Sequence, residues 1–207
     1  MKKHSENYRI YEVEQDFVNF LRGDDVYKKR SLTKIDRQVY SHYGLDKEHS
    51  DKYIGIIIKL QDRMYFAPIT HDGVKSWFNR DDKYDCENIY NPTKKYLGSL
   101  LLCKGLPLTN NLVKFKRLKE IALTEGEKYS SLCEEELNYL NSPEIHDKIQ
   151  DKMQACIYGK QSQCMNLRVN YELCWKNVQE YNEMLEKQKV QNQQQEQTIT
   201  PQHKRSR

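Results

Sequence analysis

No apolar run in this 207-residue chain approaches the roughly 20 residues needed to span a bilayer. The first ten residues, MKKHSENYRI, are basic but contain no apolar h-region, so no secretory leader is expected. The expectation is a cytoplasmic protein without membrane contact. A Walker loop, G-x-G-x-x-G, H-E-x-x-H and G-x-S-x-G are all missing, which argues against nucleotide, zinc-protease and serine-hydrolase chemistry. The six cysteines, at 86, 103, 133, 156, 164 and 174, form no C-x-x-C and have no histidine at zinc-finger spacing. No metal and no cofactor are therefore expected, and in the cytoplasm the thiols should stay reduced. Net positive charge is also scarce outside one end. Residues 188–207 hold Lys189, Lys204, Arg205 and Arg207 against Glu196, so they account for three of the four units of net charge. Any site for a polyanion must come from local clustering.

What is present suggests one water-soluble domain. Charged residues make up 31% and hydrophobic residues 37%, and the length suffices for a real core. The segment YRIYEV alternates as a strand does, and EQDFVNFLRG follows with Phe17, Val18 and Leu21 on one helical face. KYIGIIIKL, QDR and MYFAPI read as strand, turn and strand, with one strand buried on both faces. Pro68 lacks an amide for the ladder, so the second strand is expected to end or leave the sheet there. KYLGSLLLCKGLPL supplies another strand, while NLVKFKRLKEI fits strand or helix equally well.

The last third is helical by its periodicity. Tyr129, Leu132, Cys133, Leu137 and Leu140 form one stripe. Ser142-Pro143-Glu144 reads as an N-cap with proline at the first helical position, opening a helix with Ile145, Ile149, Met153, Cys156 and Ile157, and Gly159 as its stop. Leu167, Tyr171, Cys174, Val178, Tyr181 and Leu185 form a third stripe. Cys133, Cys156 and Cys174 thus read as core residues, since a free cysteine packs as a small hydrophobe. The Gln-rich segment from Gln188 has no apolar face. The expected division is a folded domain over 1–187 and a disordered basic tail over 188–207.

Two stretches carry candidate chemistry. VYKKRSLTKIDRQVYSHYG sets Lys28, Lys29, Arg30, Lys34 and Arg37 among Tyr27, Tyr40, His42 and Tyr43. Cations hold phosphates and rings stack on unpaired bases, as in single-stranded RNA recognition. KFKRLKE at 114–120 is a second, weaker basic cluster. The other stretch is MYFAPITHDGVKSWF. Its Thr70, His71 and Lys75 offer a hydroxyl, an imidazole and a cation. Metal-independent RNA cleavage needs groups that take the 2′-hydroxyl proton, stabilise the phosphorane and protonate the leaving 5′-oxygen. Plain solvated loops would also account for both stretches.

The order YRIYEVEQDFVNFLR, then KYIGIIIKLQDRMYFAPIT, then Lys75 and Trp77, resembles the ToxN/AbiQ family of type III toxin–antitoxin endoribonucleases. YLGSLLL, IYGK and MNLRVNYELCWKNV fit its later elements, so the resemblance covers about residues 8–185. It implies an α+β fold: a compact, strongly bent antiparallel sheet like that of Kid/MazF toxins, with helices around it and a helical C-terminal third. It implies metal-independent RNA cleavage to 2′,3′-cyclic phosphate and 5′-hydroxyl ends. It also implies inhibition by a small repeat-encoded antitoxin RNA with pseudoknot repeats, joined to the toxin in a closed protein–RNA assembly. Residue by residue, the family threonine falls on Thr70, its following serine on His71, and its lysine on Lys75 if this loop is two residues longer. Trp77 supports that placement, and Tyr43, Lys47 and Lys52 are loose counterparts of positions before the hairpin. Histidine in place of the serine leaves a second reading, a catalytically weak RNA-binding member. A third is a MazF-like toxin held by a protein antitoxin.

Overall fold

The computed structural model describes residues 7–22, 54–71, 86–158 and 171–199. The segments containing Lys28, Lys29, Arg30, Lys34, Arg37, Tyr43, Lys47, Lys52, Lys75 and Trp77 lie outside those residues. A short strand β1 (Tyr11–Val13) and helix α1 (Gln15–Arg22) open the fold. The hairpin β2 (Ile54–Leu60) and β3 (Arg63–Thr70) follows, then the hairpin β4 (Cys86–Tyr90) and β5 (Tyr96–Leu101). A 3₁₀ turn at Leu102–Lys104 separates β5 from β6 (Leu106–Leu108), and β7 (Val113–Phe115) completes the strands. KYLGSLLLCKGLPL is therefore two strands, and NLVKFKRLKEI divides into β7 and the start of a helix. Helices α2 (Leu118–Glu125), α3 (Glu127–Leu140), α4 (Pro143–Tyr158) and α5 (Tyr171–Ile199) make up the rest. None of the described helices is long and apolar enough to cross a membrane.

The strands form one seven-stranded antiparallel sheet that does not close, in the order β4-β5-β3-β2-β1-β7. β6 leaves that path by pairing with β3, opposite Met64, Tyr65 and Phe66. β3 thus has β2 along one edge, while its other edge meets β6 first and β5 at Ile69 and Thr70. The change of neighbour forks the sheet there. Pro68 does not end β3, contrary to the expectation. It sits in the interval between the β6 and β5 partners, where a missing amide costs the ladder least. Gly55 lies opposite Pro68, and a Cβ at 55 would run into the Ala67 carbonyl, so the hairpin closes only with glycine there.

The hydrophobic run of β2 is buried on both faces apart from half-buried Ile57, and Tyr65–Pro68 of β3 are buried as well, where one such strand was expected. Ile56, Ile58, Tyr65, Phe66 and Ala67 are at most 1% exposed. Each large apolar side chain so buried contributes on the order of 1.5–3 kcal/mol. The helical stripes cover this sheet. Ile149, Met153 and Cys156 of α4, with Tyr171, Cys174, Val178 and Tyr181 of α5, join the main core. Phe17 and Phe20 of α1 close on Tyr181 at ring distances of 5.2 and 4.9 Å. A smaller cluster of Ile10, Ile54, Ile121 and Cys133 pins α2 and α3 to the strands.

One local expectation changes. The Ser142 hydroxyl donates back to the Tyr139 carbonyl at 2.8 Å, tightening the end of α3 while Pro143 begins α4. Burial along α5 stops after Leu185, while the helix continues. α5 stays helical through Ile199 with residues 186–195 exposed. Glutamine, glutamate and lysine are good helix formers, so the backbone continues without a face to bury.

Candidate functional site

β3 delivers Thr70 and, one residue past its end, His71 to the place where the β4–β5 hairpin joins the sheet. Thr70 is in register with Ser99 of β5, and Ser99 with Asn88 of β4. The Ser99 hydroxyl donates to Asn88 Oδ1 at 2.8 Å. Its single proton is then used, so the Tyr96 phenol, 2.8 Å from Ser99 Oγ, is the donor in that pair. Burial raises the Tyr96 phenol, although its bond to Ser99 acts in the opposite sense. The site floor is therefore a fixed chain of two hydroxyls and an amide across β4 and β5, with Thr70 of β3 in register beside it.

Helix α3 supplies the partner of His71. Glu136 Oε1 lies 2.8 Å from His71 Nε2, with the glutamate side chain 1% exposed and the histidine 27%. An ionised carboxylate can only accept, so opposite it Nε2 carries a proton, and in the neutral imidazole Nδ1 then holds the lone pair. The Tyr129 ring meets the imidazole edge-on at 5.4 Å, one turn before Cys133 on the same helix. Glu136 Oε2 is enclosed without a hydrogen-bond partner among the described residues. Gly98 makes room for the pair. A Cβ there would lie 2.8 Å from the Thr70 carbonyl, 2.9 Å from Glu136 Oε1 and 3.3 Å from the His71 ring.

The neighbouring groups stay protonated near neutral pH. Burial, with Cys133 and Glu136 nearby, pushes the Tyr129 phenol well up. Burial and the Glu136 charge push the Cys133 thiol up to about 12, which makes it a packing group and not a nucleophile. Cys103, Cys156 and Cys174 are likewise buried and form no disulfide among the described residues.

A second polar cluster stands behind the β4–β5 hairpin. Glu87 is buried and accepts from Lys152 at 2.6 Å, Lys148 at 2.9 Å and the Tyr139 phenol at 3.1 Å. Lys152 also donates to the Cys86 carbonyl at 2.8 Å. Burial alone would raise the Glu87 carboxyl, but the two lysines together hold it below the usual carboxylate range.

Of the candidates read from the sequence, Thr70 and His71 come together here. Glu136, Ser99, Asn88 and Tyr96 were not among those candidates. Glu136 had a legible signal. It falls in step with Cys133 and Leu140 on the buried stripe of α3, where an apolar residue belongs. Ser99, Asn88 and Tyr96 had none, because only strand register brings them beside Thr70.

Comparison with known proteins supplies an outside view of this arrangement. The family model described as toxin ToxN, type III toxin–antitoxin system, matches residues 9–186. Three solved structures share the fold. One comes from work on selective toxin inhibition by a non-coding RNA pseudoknot in bacterial type III systems, at 20% identity and TM-score 0.60, over 86% of this chain and 99% of that one. The lactococcal anti-phage endoribonuclease AbiQ, of a type III system, gives 15% identity and TM-score 0.59 over 86% and 99%. A bacterial antiviral system regulated by a processed non-coding RNA gives 16% identity and TM-score 0.54 over 83% and 97%. A search of curated proteins by sequence gives no match.

Proposed function

Because the chain belongs to the ToxN family of type III toxin–antitoxin toxins, we propose that it is an endoribonuclease that cleaves RNA without a metal and is neutralised by a small structured RNA. The observation that carries this reading is the His71–Glu136 pair beside Thr70, at the strand exit where the family resemblance puts catalysis. In the proposed reaction the substrate 2′-hydroxyl gives its proton to His71 Nδ1. The 2′-oxygen attacks the adjacent phosphorus, and the P–O5′ bond breaks. The 5′-oxygen leaves and takes a proton from water to become a hydroxyl, protonated His71 returns its proton to solvent, and the other product end is a 2′,3′-cyclic phosphate. Glu136 acts through His71 by holding its ring and tautomer, as the carboxylate does in serine-protease triads. Thr70 and Lys75 are the proposed stabilisers of the phosphorane charge.

The antitoxin and target RNAs are proposed to share one groove that includes the Lys28–Arg37 segment. Solved structures from work on toxin inhibition by a non-coding RNA pseudoknot and on an antiviral system regulated by a processed non-coding RNA support an RNA partner. The decisive experiment incubates purified protein with RNA in EDTA and identifies the product ends. Cyclic-phosphate and 5′-hydroxyl ends, made by the wild type and lost in His71→Ala, are expected. RNA left intact by the wild type with or without added divalent metal would leave a binding-only toxin. Cleavage unchanged in His71→Ala would remove this residue from the reaction.

A further inference from the structure

A cavity of about 640 Å³ opens between the tip of the β4–β5 hairpin and the second half of α3. Tyr90 and Tyr139 wall it, Glu135 and Asn138 stand on the helical side, and Lys94 is at the hairpin tip. We propose that it is a subsite for one unpaired nucleotide of the RNA, whose base stacks on the tyrosines and turns an exocyclic amino group toward Glu135. The proposal rests on RNA being the substrate, as argued above.

The walls are built to stay still. The Tyr90 ring meets Tyr96 at 6.0 Å and Tyr139 at 6.5 Å, both edge-on, while the residue remains 38% exposed. Ring contacts on two sides hold Tyr90 while more than a third of the residue stays exposed, and an accessible aromatic ring stacks on any base. Tyr139 is fixed from behind by Glu87, which Lys148 and Lys152 clamp in turn. Burying a carboxylate between two lysines is costly, and a rigid tyrosine wall is what this cluster produces.

The hairpin tip is equally constrained. Asn91 Oδ1 accepts from the Thr93 amide at 3.0 Å, the Thr93 hydroxyl at 2.7 Å and the Lys95 amide at 2.9 Å. This holds Lys94 at φ 62°, a conformation that disfavours a residue with a side chain. The result is a cation on a rigid turn at the pocket mouth, where a phosphate would follow the stacked base. Glu135 and Asn138 are exposed side chains on the wall. A carboxylate there repels phosphate but accepts from an amino group, which adenine, guanine and cytosine carry and uracil does not.

Shared elements link the pocket to the site already described. Tyr96, against which Tyr90 is braced, donates to Ser99 opposite Thr70. Glu135 adjoins Glu136 in the chain. A nucleotide held here would be positioned relative to His71 by rigid elements alone.

The test measures binding of adenosine and uridine hexamers with 2′-O-methyl riboses, which cannot undergo transesterification, by fluorescence anisotropy. Wild type should bind the adenosine hexamer more tightly than the uridine one. Tyr90→Ala, at an exposed position, should weaken adenosine binding about tenfold with an unchanged melting temperature, in the range for one lost base stack. Tyr90→Trp should restore it, and Glu135→Ala should erase the adenosine preference. If wild type binds RNA but Tyr90→Ala binds as tightly, the pocket assignment falls and the ribonuclease reading stands. If wild type binds neither hexamer and no longer RNA, both fall. Equal affinity for the two hexamers would overturn the amino-group assignment.

Discussion

Glu136 puts a charge where the helical pattern asks for a leucine. Its neighbours in the stripe, Cys133 and Leu140, are as buried as it is. A lone buried carboxylate is strongly disfavoured, so its survival there needs a partner, and His71 is the partner shown. Glutamine at 136 keeps the shape but can offer its amide N–H to Nε2, which would hold the ring in the other tautomer. Glu136→Gln is therefore expected to lower kcat on the order of 100-fold with little change in KM. Single-turnover cleavage measures this, and ¹⁵N chemical shifts of the His71 ring report the tautomer. A slow enzyme with the tautomer unchanged would assign Glu136 to packing alone. The same residue shows why the site was only half legible. Thr70 and His71 could be read because they adjoin a strand with a recognisable sequence. Glu136 lies 65 residues further along, inside a Glu-Glu-Glu run that looks like a solvated face until its phase is counted.

At the scale of elements, β4 is held to α3 and α4 by polar contacts as well as by packing. Glu87 is the shared acceptor, with side-chain exposure of 3%. Its carboxyl lies below the ordinary carboxylate range, so its contribution is fully present above about pH 4 and is lost as the pH falls through the depressed folded value. Glu87→Gln is expected to destabilise by about 2–3 kcal/mol near neutral pH. That is less than for an enclosed pair, because Lys148 is half exposed. Melting curves of both proteins should converge in acid, and a constant gap down to pH 2 would contradict the assignment. Elements whose pattern is local were legible: the β2–β3 hairpin and the stripes of α3, α4 and α5. Those set by distant partners were not. β6 and β7 are three residues each and exist because β3 and β1 offer them edges. Likewise β3 runs through Pro68 because its neighbour changes there.

For the molecule as a whole, the small net charge means that a long-range field cannot do the work of RNA capture. Local clusters must, and the cluster at Lys28, Lys29 and Arg30 is the densest in the sequence. Neutralising each phosphate on single-stranded RNA should contribute a log–log salt slope of about −0.7. Replacing all three residues with alanine is expected to weaken antitoxin RNA binding and flatten that slope by up to about 2. Filter binding across a salt series measures both. Affinity equal to wild type at every salt concentration would move the groove elsewhere, with Lys114–Lys119 the next place to look.

β3 touches β2, β5 and β6, so the eight residues from Arg63 to Thr70 are the only described strand with three partners. This has a kinetic meaning. The β2–β3 hairpin is local and can form early, but β5 docks only after a loop closure of about thirty residues and β6 after one of about forty, and on the same edge of one strand. No opening that frees the β4–β5 hairpin can leave β3 fully paired, while β3 itself can be released only by global unfolding. Its amides should therefore exchange with deuterium at the rate of the whole molecule, and those of β4 should exchange faster. The strand that carries Thr70 and aims His71 would then be the last part of the fold to let go.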